Sequence, residues 1–167
     1  VNGLVYASML RLNAKIELEP ALAEKYTVSK DSTVITFTLR KGLTFHDGKP
    51  LTAADVKFTL ESLASPQYDG ELQSYVQSIK GFKAFNEGKA AEVSGIAVKN
   101  DTTIEITFGE PYAPALINIG TLAVLPKHIW KDVPVNEWAK ATELLSKPIG
   151  CGPYMFESFT SGSYVKL

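Results

Sequence analysis

Alternating apolar and polar positions predict strands in this chain. Val34–Leu39 reads VITFTL and places Ile35, Phe37 and Leu39 on one face, the period-two pattern of a half-buried strand. Tyr26–Ser29 precedes it across a polar turn and is predicted to be its hairpin partner. Two more hairpins are predicted, Ile96–Lys99 with Thr103–Phe108, and Tyr154–Phe159 with Ser163–Leu167 around a turn at Ser161–Gly162.

Helical segments separate these hairpins. Thr52 is a good N-cap residue, and Asp55 completes a pair similar to a capping box. Apolar residues then recur at helical spacing until Pro66 ends the helix. Further helices are predicted at Leu72–Phe85 with a break near Gly81 and an end at Gly88, at Tyr112–Ile119 and at Val135–Leu145. Hairpins interleaved with helices predict one α+β domain over residues 1–167, with a mixed or antiparallel sheet.

The composition indicates a globular domain without a specialised surface. A chain of 167 residues suits one domain, and a net charge of −1 argues against a nucleic-acid partner. The longest apolar run, Ala113–Pro126, is shorter than the roughly 20 residues that span a bilayer. Cys151 is the only cysteine, which excludes an internal disulfide. The start at Val1, without a signal-like segment, predicts a piece of a longer chain.

Candidate catalytic and metal-binding residues are scattered along the sequence. His46 and His128 lack a second ligand at helical spacing, which favours a turn or packing role for His46 and a surface or half-buried helical role for His128. The small neighbours of Cys151 favour a packed thiol over a nucleophile. Ser163 and Lys166 match an SxxK pattern by letter, but they lie in a predicted strand, where positions three apart face opposite sides. No catalytic residue, metal site or cofactor is predicted.

Two segments of the chain resemble a known family. Leu39–Asp55, LRKGLTFHDGKPLTAAD, and Lys147–Phe156, KPIGCGPYMF, are similar to signature segments of the bacterial extracytoplasmic solute-binding proteins, family 5, which feed peptide and nickel ABC transporters. Pro20–Ser62 follows the family pattern throughout, and Ser94–Leu116 and Leu125–Trp130 resemble its next blocks. The resemblance therefore covers nearly the whole chain.

The resemblance implies a subdomain of a two-lobed clamp of the periplasmic-binding-protein type. The function it implies is non-enzymatic capture of small peptides outside the cytoplasmic membrane, in the periplasm or at the cell surface on a lipid anchor. The implied partners are a small peptide, ABC permease subunits and a second lobe that is missing from this chain. A nickel-chelate, haem or oligosaccharide receptor stays an alternative. So do a secreted hydrolase with Cys151 or Ser163 as nucleophile, and a structural subdomain without ligand contact.

The resemblance also places one wall of the ligand cleft on this chain. The residues predicted to face the ligand are Gln73, Ser74, Tyr75, Asn118, Gly120 and Thr121. Tyr75 fits a core position equally well. Asn118 and Thr121 lie among apolar residues, so their polar groups must be hydrogen-bonded or exposed, which a cleft wall or an ordinary loop satisfies. At Cys151 this chain departs from the family, which commonly has threonine between the two glycines.

Overall fold

A four-stranded antiparallel sheet forms the centre of the computed structural model, which describes residues 2–160 and 162–167. The strands along the chain are β1 (Leu10–Leu12), β2 (Leu18–Pro20), β3 (Ala23–Val28), β4 (Val34–Leu39), β5 (Ile96–Asn100), β6 (Thr103–Thr107), β7 (Ser158–Thr160) and β8 (Tyr164–Lys166). The central sheet has the order β3-β4-β6-β5, while β1-β2 and β7-β8 form two-stranded sheets. The three predicted hairpins are therefore present, and the α+β class is confirmed.

The predicted alternation along β4 sets the buried face of the sheet. Ile35, Phe37 and Leu39 are buried while the residues between them are half-exposed. In the register of β4 with β6, Ile35 lies opposite Ile106 and Phe37 opposite Ile104, so four buried side chains meet on one face. Their burial removes apolar surface from water and fixes the register, because a shift by one residue would turn this face to solvent.

Helices, most of them short, alternate with these strands along the chain. They are α1 (Asn2–Val5), α2 (Ala53–Ala64), α3 (Gln73–Val76), α4 (Phe82–Asn86), α5 (Ala115–Gly120), α6 (Lys127–Trp130) and α7 (Thr142–Ser146), with a 3₁₀ helix at Val135–Lys140. The longest, α2, packs against β5 and β6 and presents Val56, Leu60 and Leu63 to the core. Within the described part of the chain, no helix has both the length and the apolar character needed to cross a bilayer.

The start of α2 confirms the predicted capping box and extends it. The Thr52 hydroxyl accepts a hydrogen bond from the Ala54 N–H at 3.3 Å, and the Asp55 carboxylate accepts one from the Thr52 N–H at 2.9 Å. The other carboxylate oxygen of Asp55 accepts the Lys127 N–H at 3.1 Å. Asp55 is buried, so its carboxylate joins the first turns of α2 and α6 through the core of the domain.

Three predicted elements were wrong in extent. The predicted helix Val135–Leu145 is split into a 3₁₀ helix and α7, because Ala141 adopts a non-helical ψ of 61°. The helix predicted at Tyr112–Ile119 begins only after Pro114, which occupies its N-cap position. The predicted strand Tyr154–Phe159 starts at Ser158, since the Tyr154 N–H donates to Leu4 O, in the N-terminal segment.

The partner strand of that last hairpin is also shorter than predicted. Ser163 lies in the turn and β8 begins at Tyr164, so the prediction of Ser163 as a strand residue was wrong. Ser161, part of the predicted turn, lies outside the described residues.

Both edge strands of the central sheet contain a bulge. In β3, Ala23 pairs with Leu39 and Lys25 with Thr38, which leaves Glu24 as an extra residue. In β5, Lys99 is the extra residue between Val98 and Asn100. Each bulge thus falls at an exposed, charged side chain.

Candidate functional site

The two segments that carry the family resemblance lie against each other, joined by His46. The His46 N–H donates to Gly150 O at 2.9 Å, and the Gly150 N–H donates to His46 Nδ1 at 3.3 Å. The other ring nitrogen, Nε2, lies 2.9 Å from Gly152 O. Because Nδ1 accepts and a carbonyl faces Nε2, these partners require the neutral ring with its hydrogen on Nε2. The packing role predicted for this histidine is therefore confirmed.

Glycines allow the second segment to run in contact with the N-terminal helix. The Gly152 N–H donates to Val5 O at 2.7 Å. A Cβ atom on Gly150 would lie 2.0 Å from Val5 O, and one on Gly152 would lie 2.3 Å from Leu4 O. No side chain fits at either position. We call the set of His46, Gly150–Gly152 and Leu4–Val5 the histidine–glycine joint.

Cys151, between these glycines, is half-buried, and its Sγ lies 3.9 Å from Ala7 O. Burial raises the pKa of the Cys151 thiol above its usual value, so the group stays protonated at neutral pH. Ser163 is exposed, and the amine of Lys166 is engaged with Glu157 at 2.7 Å rather than with the serine. Neither residue has the activated environment of a nucleophile.

His128 makes a hydrogen bond to the turn that carries His46. Its Nε2 lies 2.7 Å from Asp47 Oδ2, and its ring meets Phe45 edge-on at 5.5 Å between centroids. Burial alone would raise the pKa of Asp47, but hydrogen bonds from His128 and from the Lys49 N–H hold it below its usual value. The half-buried helical position predicted for His128 is confirmed, and the contact with Asp47 ties α6 to the joint.

We expect Asp47→Asn to lower the free energy of unfolding at neutral pH by no more than about 1 kcal/mol, because the pair is partly exposed. The depressed pKa means that the carboxylate contributes stability above its unfolded pKa of about 3.9, and this contribution is lost as pH falls through the folded value. Urea unfolding at several pH values checks this. The difference between the two proteins should shrink below about pH 4. Asp132→Asn, in an exposed turn, is the control, and an equal effect there would contradict the assignment.

On α3, the residues predicted to face a ligand make internal contacts. The Gln73 side-chain amide donates to three backbone carbonyls, those of Leu63, Ser65 and Tyr68, at 3.2 to 3.4 Å. The Ser74 hydroxyl is exposed and donates to Glu71 O at 2.7 Å. The third residue, Tyr75, is half-buried and packs against the core. Gln73 thus holds the loop between α2 and α3.

At α5, the second set of residues predicted to face a ligand also makes internal contacts. The Asn118 amide donates to the Tyr112 hydroxyl at 2.8 Å, and the Thr121 hydroxyl donates to Ile117 O at 2.7 Å. Gly120 is buried, and a Cβ atom there would lie 2.7 Å from Leu10 Cδ1. Since α3 packs against α5, the structure brings the two predicted groups onto neighbouring helices.

Thr121, which is among the six predicted residues, opens onto a cavity. Thr121 lines a cavity of about 260 Å³ together with Tyr6, Ser8 and Arg11. A second cavity, of about 380 Å³, shares Tyr6 and Ala123 with the first and is otherwise lined by apolar and aromatic side chains. Its remaining lining residues are Leu125, Trp130, Trp138, Ala139, Leu145 and Pro148. The two cavities adjoin at Tyr6 and Ala123, and we call them together the depression.

Sequence reasoning missed the N-terminal contribution to this depression. Tyr6, Ser8 and Arg11 belong to a segment without periodicity long enough to predict an element. Burial raises the pKa of Tyr6, which keeps its hydroxyl neutral and able to donate. In the described residues 2–160 and 162–167, no group of three or more His, Cys, Asp or Glu side chains is placed to hold a metal ion.

The sequence matches the family model described as bacterial extracellular solute-binding proteins, family 5 Middle, over residues 17–167. This chain belongs to that family. Oligopeptide-binding protein AppA of Bacillus subtilis (strain 168) is 30% identical over 167 residues, which is 100% of this chain and 28% of AppA. Dipeptide-binding protein DppE of the same organism is 28% identical over 151 residues, 90% of this chain and 27% of DppE.

Two solved structures share the fold. AppA from Bacillus subtilis in complex with a nonapeptide superposes with a TM-score of 0.82 at 27% identity, covering 98% of this chain and 30% of AppA. NikZ from Campylobacter jejuni in complex with Ni(L-His) gives a TM-score of 0.81 at 28% identity, covering 98% of this chain and 29% of NikZ. The chain spans less than a third of the length of these relatives.

Proposed function

We propose that this chain is one domain of a longer, two-lobed receptor that captures short peptides outside the cytoplasmic membrane and presents them to an ABC permease. This proposal rests on the fold: 98% of the chain superposes on the structure of AppA in complex with a nonapeptide. Closure of two lobes on a ligand is an established way to couple binding to a change of shape. The receptor would act in the periplasm, or at the cell surface on a lipid anchor.

The proposed ligand-facing surface combines the two predicted groups with the neighbouring depression. Gln73, Ser74 and Tyr75 on α3 and Asn118, Gly120 and Thr121 at α5 would form the wall of the cleft, and Gln73 and Asn118 would do so mainly by fixing the local backbone. Thr121 and the adjoining Ser8 and Arg11 supply polar groups at the cavity. A few polar groups beside apolar walls suit a site that holds peptides of varied sequence.

Isothermal titration with a pool of short peptides tests this proposal. We expect the longer receptor to bind with a Kd of about 1 μM or tighter. The 167-residue chain, once a cooperative thermal melt is recorded, should give little heat, since the other lobe completes the site. Saturable binding by the chain alone would show that the site does not need the other lobe. No binding by the longer receptor would refute peptide capture.

The contribution of this domain is tested by Thr121→Val in the longer receptor. The variant keeps the shape of the side chain and removes the hydroxyl, so we expect Kd to rise about threefold to tenfold, the worth of one hydrogen bond. Thr27→Val, on exposed β3, is the matched control and should leave Kd unchanged. Equal Kd values for both variants and the unsubstituted receptor would mean that this surface only supports the fold.

The similarity to NikZ supports a second candidate, a receptor for a nickel chelate. NikZ is described as a complex with Ni(L-His), and its fold matches this chain as closely as that of AppA. Because the described residues contain no ready cluster of metal ligands, the chelate would carry its own donors to the metal. Titration with nickel–histidine beside the peptide pool separates the two candidates.

We infer no catalytic role for this chain. A thiol kept protonated by burial and a serine whose neighbouring lysine is engaged in an ion pair lack the base that nucleophilic catalysis needs. Incubation with the same peptides should leave them intact. Hydrolysis that disappears in Cys151→Ala or Ser163→Ala would contradict this inference.

A further inference from the structure

The His46 imidazole uses both ring nitrogens on one short piece of backbone. Nδ1 accepts the Gly150 N–H at 3.3 Å, and Nε2 faces Gly152 O at 2.9 Å. Only the neutral ring with its hydrogen on Nε2 offers one acceptor and one donor in that order. A ring protonated on both nitrogens has no acceptor left and directs a second N–H toward the Gly150 N–H.

Solvent and several charged groups reach this ring. His46 is half-buried and lines a cavity of about 310 Å³ between its own turn and the C-terminal segment. The titratable groups that face this cavity are Asp47, Lys147 and Glu157. Cys151, the remaining titratable group of the joint, has a raised pKa and stays neutral. A proton can therefore arrive from solvent.

Both carboxylates that line the cavity beside His46 already have partners of their own. Asp47 lies 2.7 Å from His128 Nε2, and Glu157 lies 2.7 Å from Lys166 Nζ. The third charged group, Lys147, is itself a cation. An imidazolium at His46 would thus lose its bond to Gly150 and would have to share a carboxylate that another side chain already contacts.

We propose that His46 is a proton-sensitive latch. The neutral ring holds Gly150–Gly152 against the domain, and protonation at Nδ1 releases the Gly150 amide. The Gly152 N–H stays bonded to Val5 O, so release is confined to one side of the segment that leads toward β7. The latch concerns the response of the domain to external pH and does not depend on which ligand is bound.

The ring can be observed directly by NMR. The chain has two histidines, so His128→Asn leaves His46 as the only imidazole. In ¹⁵N-labelled protein near pH 8, the ¹⁵N chemical shifts of the imidazole should show an unprotonated Nδ1 and a protonated Nε2. A hydrogen on Nδ1 at that pH would overturn the proposal. This measurement leaves His46 itself unchanged.

Amide hydrogen exchange then tests the latch itself. As the pH is lowered from about 7.5 and the ring becomes protonated, the protection factor of the Gly150 amide should fall about threefold to tenfold, the worth of one hydrogen bond. The Gly152 amide is the internal control and should keep its protection, since its acceptor is Val5 O.

A substitution separates titration from packing. In His46→Gln the side-chain amide donates to Gly152 O without titrating, so the protection of Gly150 should become independent of pH. Constant protection of Gly150 in the protein that retains His46 would overturn the latch. The latch would also be overturned if the protection of Gly150 kept the same pH dependence in His46→Gln.

Discussion

Replacing Gly150 with alanine should lower the free energy of unfolding by at least about 3 kcal/mol. The new Cβ atom would lie 2.0 Å from Val5 O, and the obstacle is backbone that is itself bonded to Gly152. To make room, the C-terminal segment must move away from α1, which breaks the bonds of the joint. Urea unfolding followed by circular dichroism measures the loss.

Gly109 offers a matched control for this substitution. A Cβ atom there meets nothing within 4 Å, so Gly109→Ala should change the free energy of unfolding by no more than about 0.5 kcal/mol. A Gly150→Ala protein as stable as the Gly109→Ala protein would show that the close approach to Val5 is absent in solution. A Gly150→Ala chain that fails to fold supports the close approach.

Removing the carboxylate of Asp55 should have an effect of similar size. Asp55 is only 6% exposed. Asp55→Ala therefore leaves the Thr52 and Lys127 N–H groups without their acceptor inside the domain. Loss of the capping interaction costs about 1 kcal/mol, and the buried donors add about 1–3 kcal/mol. We expect a total loss of about 3 kcal/mol in the free energy of unfolding.

A second variant separates the two parts of this loss. Thr52→Ala removes the hydroxyl cap and keeps the link between Asp55 and Lys127, so it should cost only about 1 kcal/mol. If Thr52→Ala and Asp55→Ala destabilise the protein equally, the link to α6 contributes nothing. If Asp55→Ala costs the larger amount, the carboxylate holds two helices in place.

The parts of the fold that local chemistry determines were predictable from the sequence. The strand β4 follows from the alternation of Ile35, Phe37 and Leu39 with polar residues, and α2 follows from the pairing of Thr52 with Asp55. In both cases the deciding contacts lie within a few residues of each other. By contrast, β1 and β2 have three residues each, too few for a periodic pattern to stand out.

Contacts between distant segments were beyond the reach of pattern reasoning. His46 and Gly150 are 104 positions apart, and Asp55 and Lys127 are 72 apart. Glycines flanking Cys151 are a signal of close backbone approach, but they do not name the partner. The six predicted ligand-facing residues stay a prediction, and their nearness on α3 and α5 is a consequence of packing that the sequence alone does not show.

The bulges at Glu24 and Lys99 bear on how this domain behaves at high concentration. An unbroken edge strand presents a row of free N–H and C=O groups on which another chain can add a strand. Here both borders of the central sheet are interrupted by an extra residue with an exposed charge, one acidic and one basic. These interruptions guard the domain against edge-to-edge aggregation at high protein concentration.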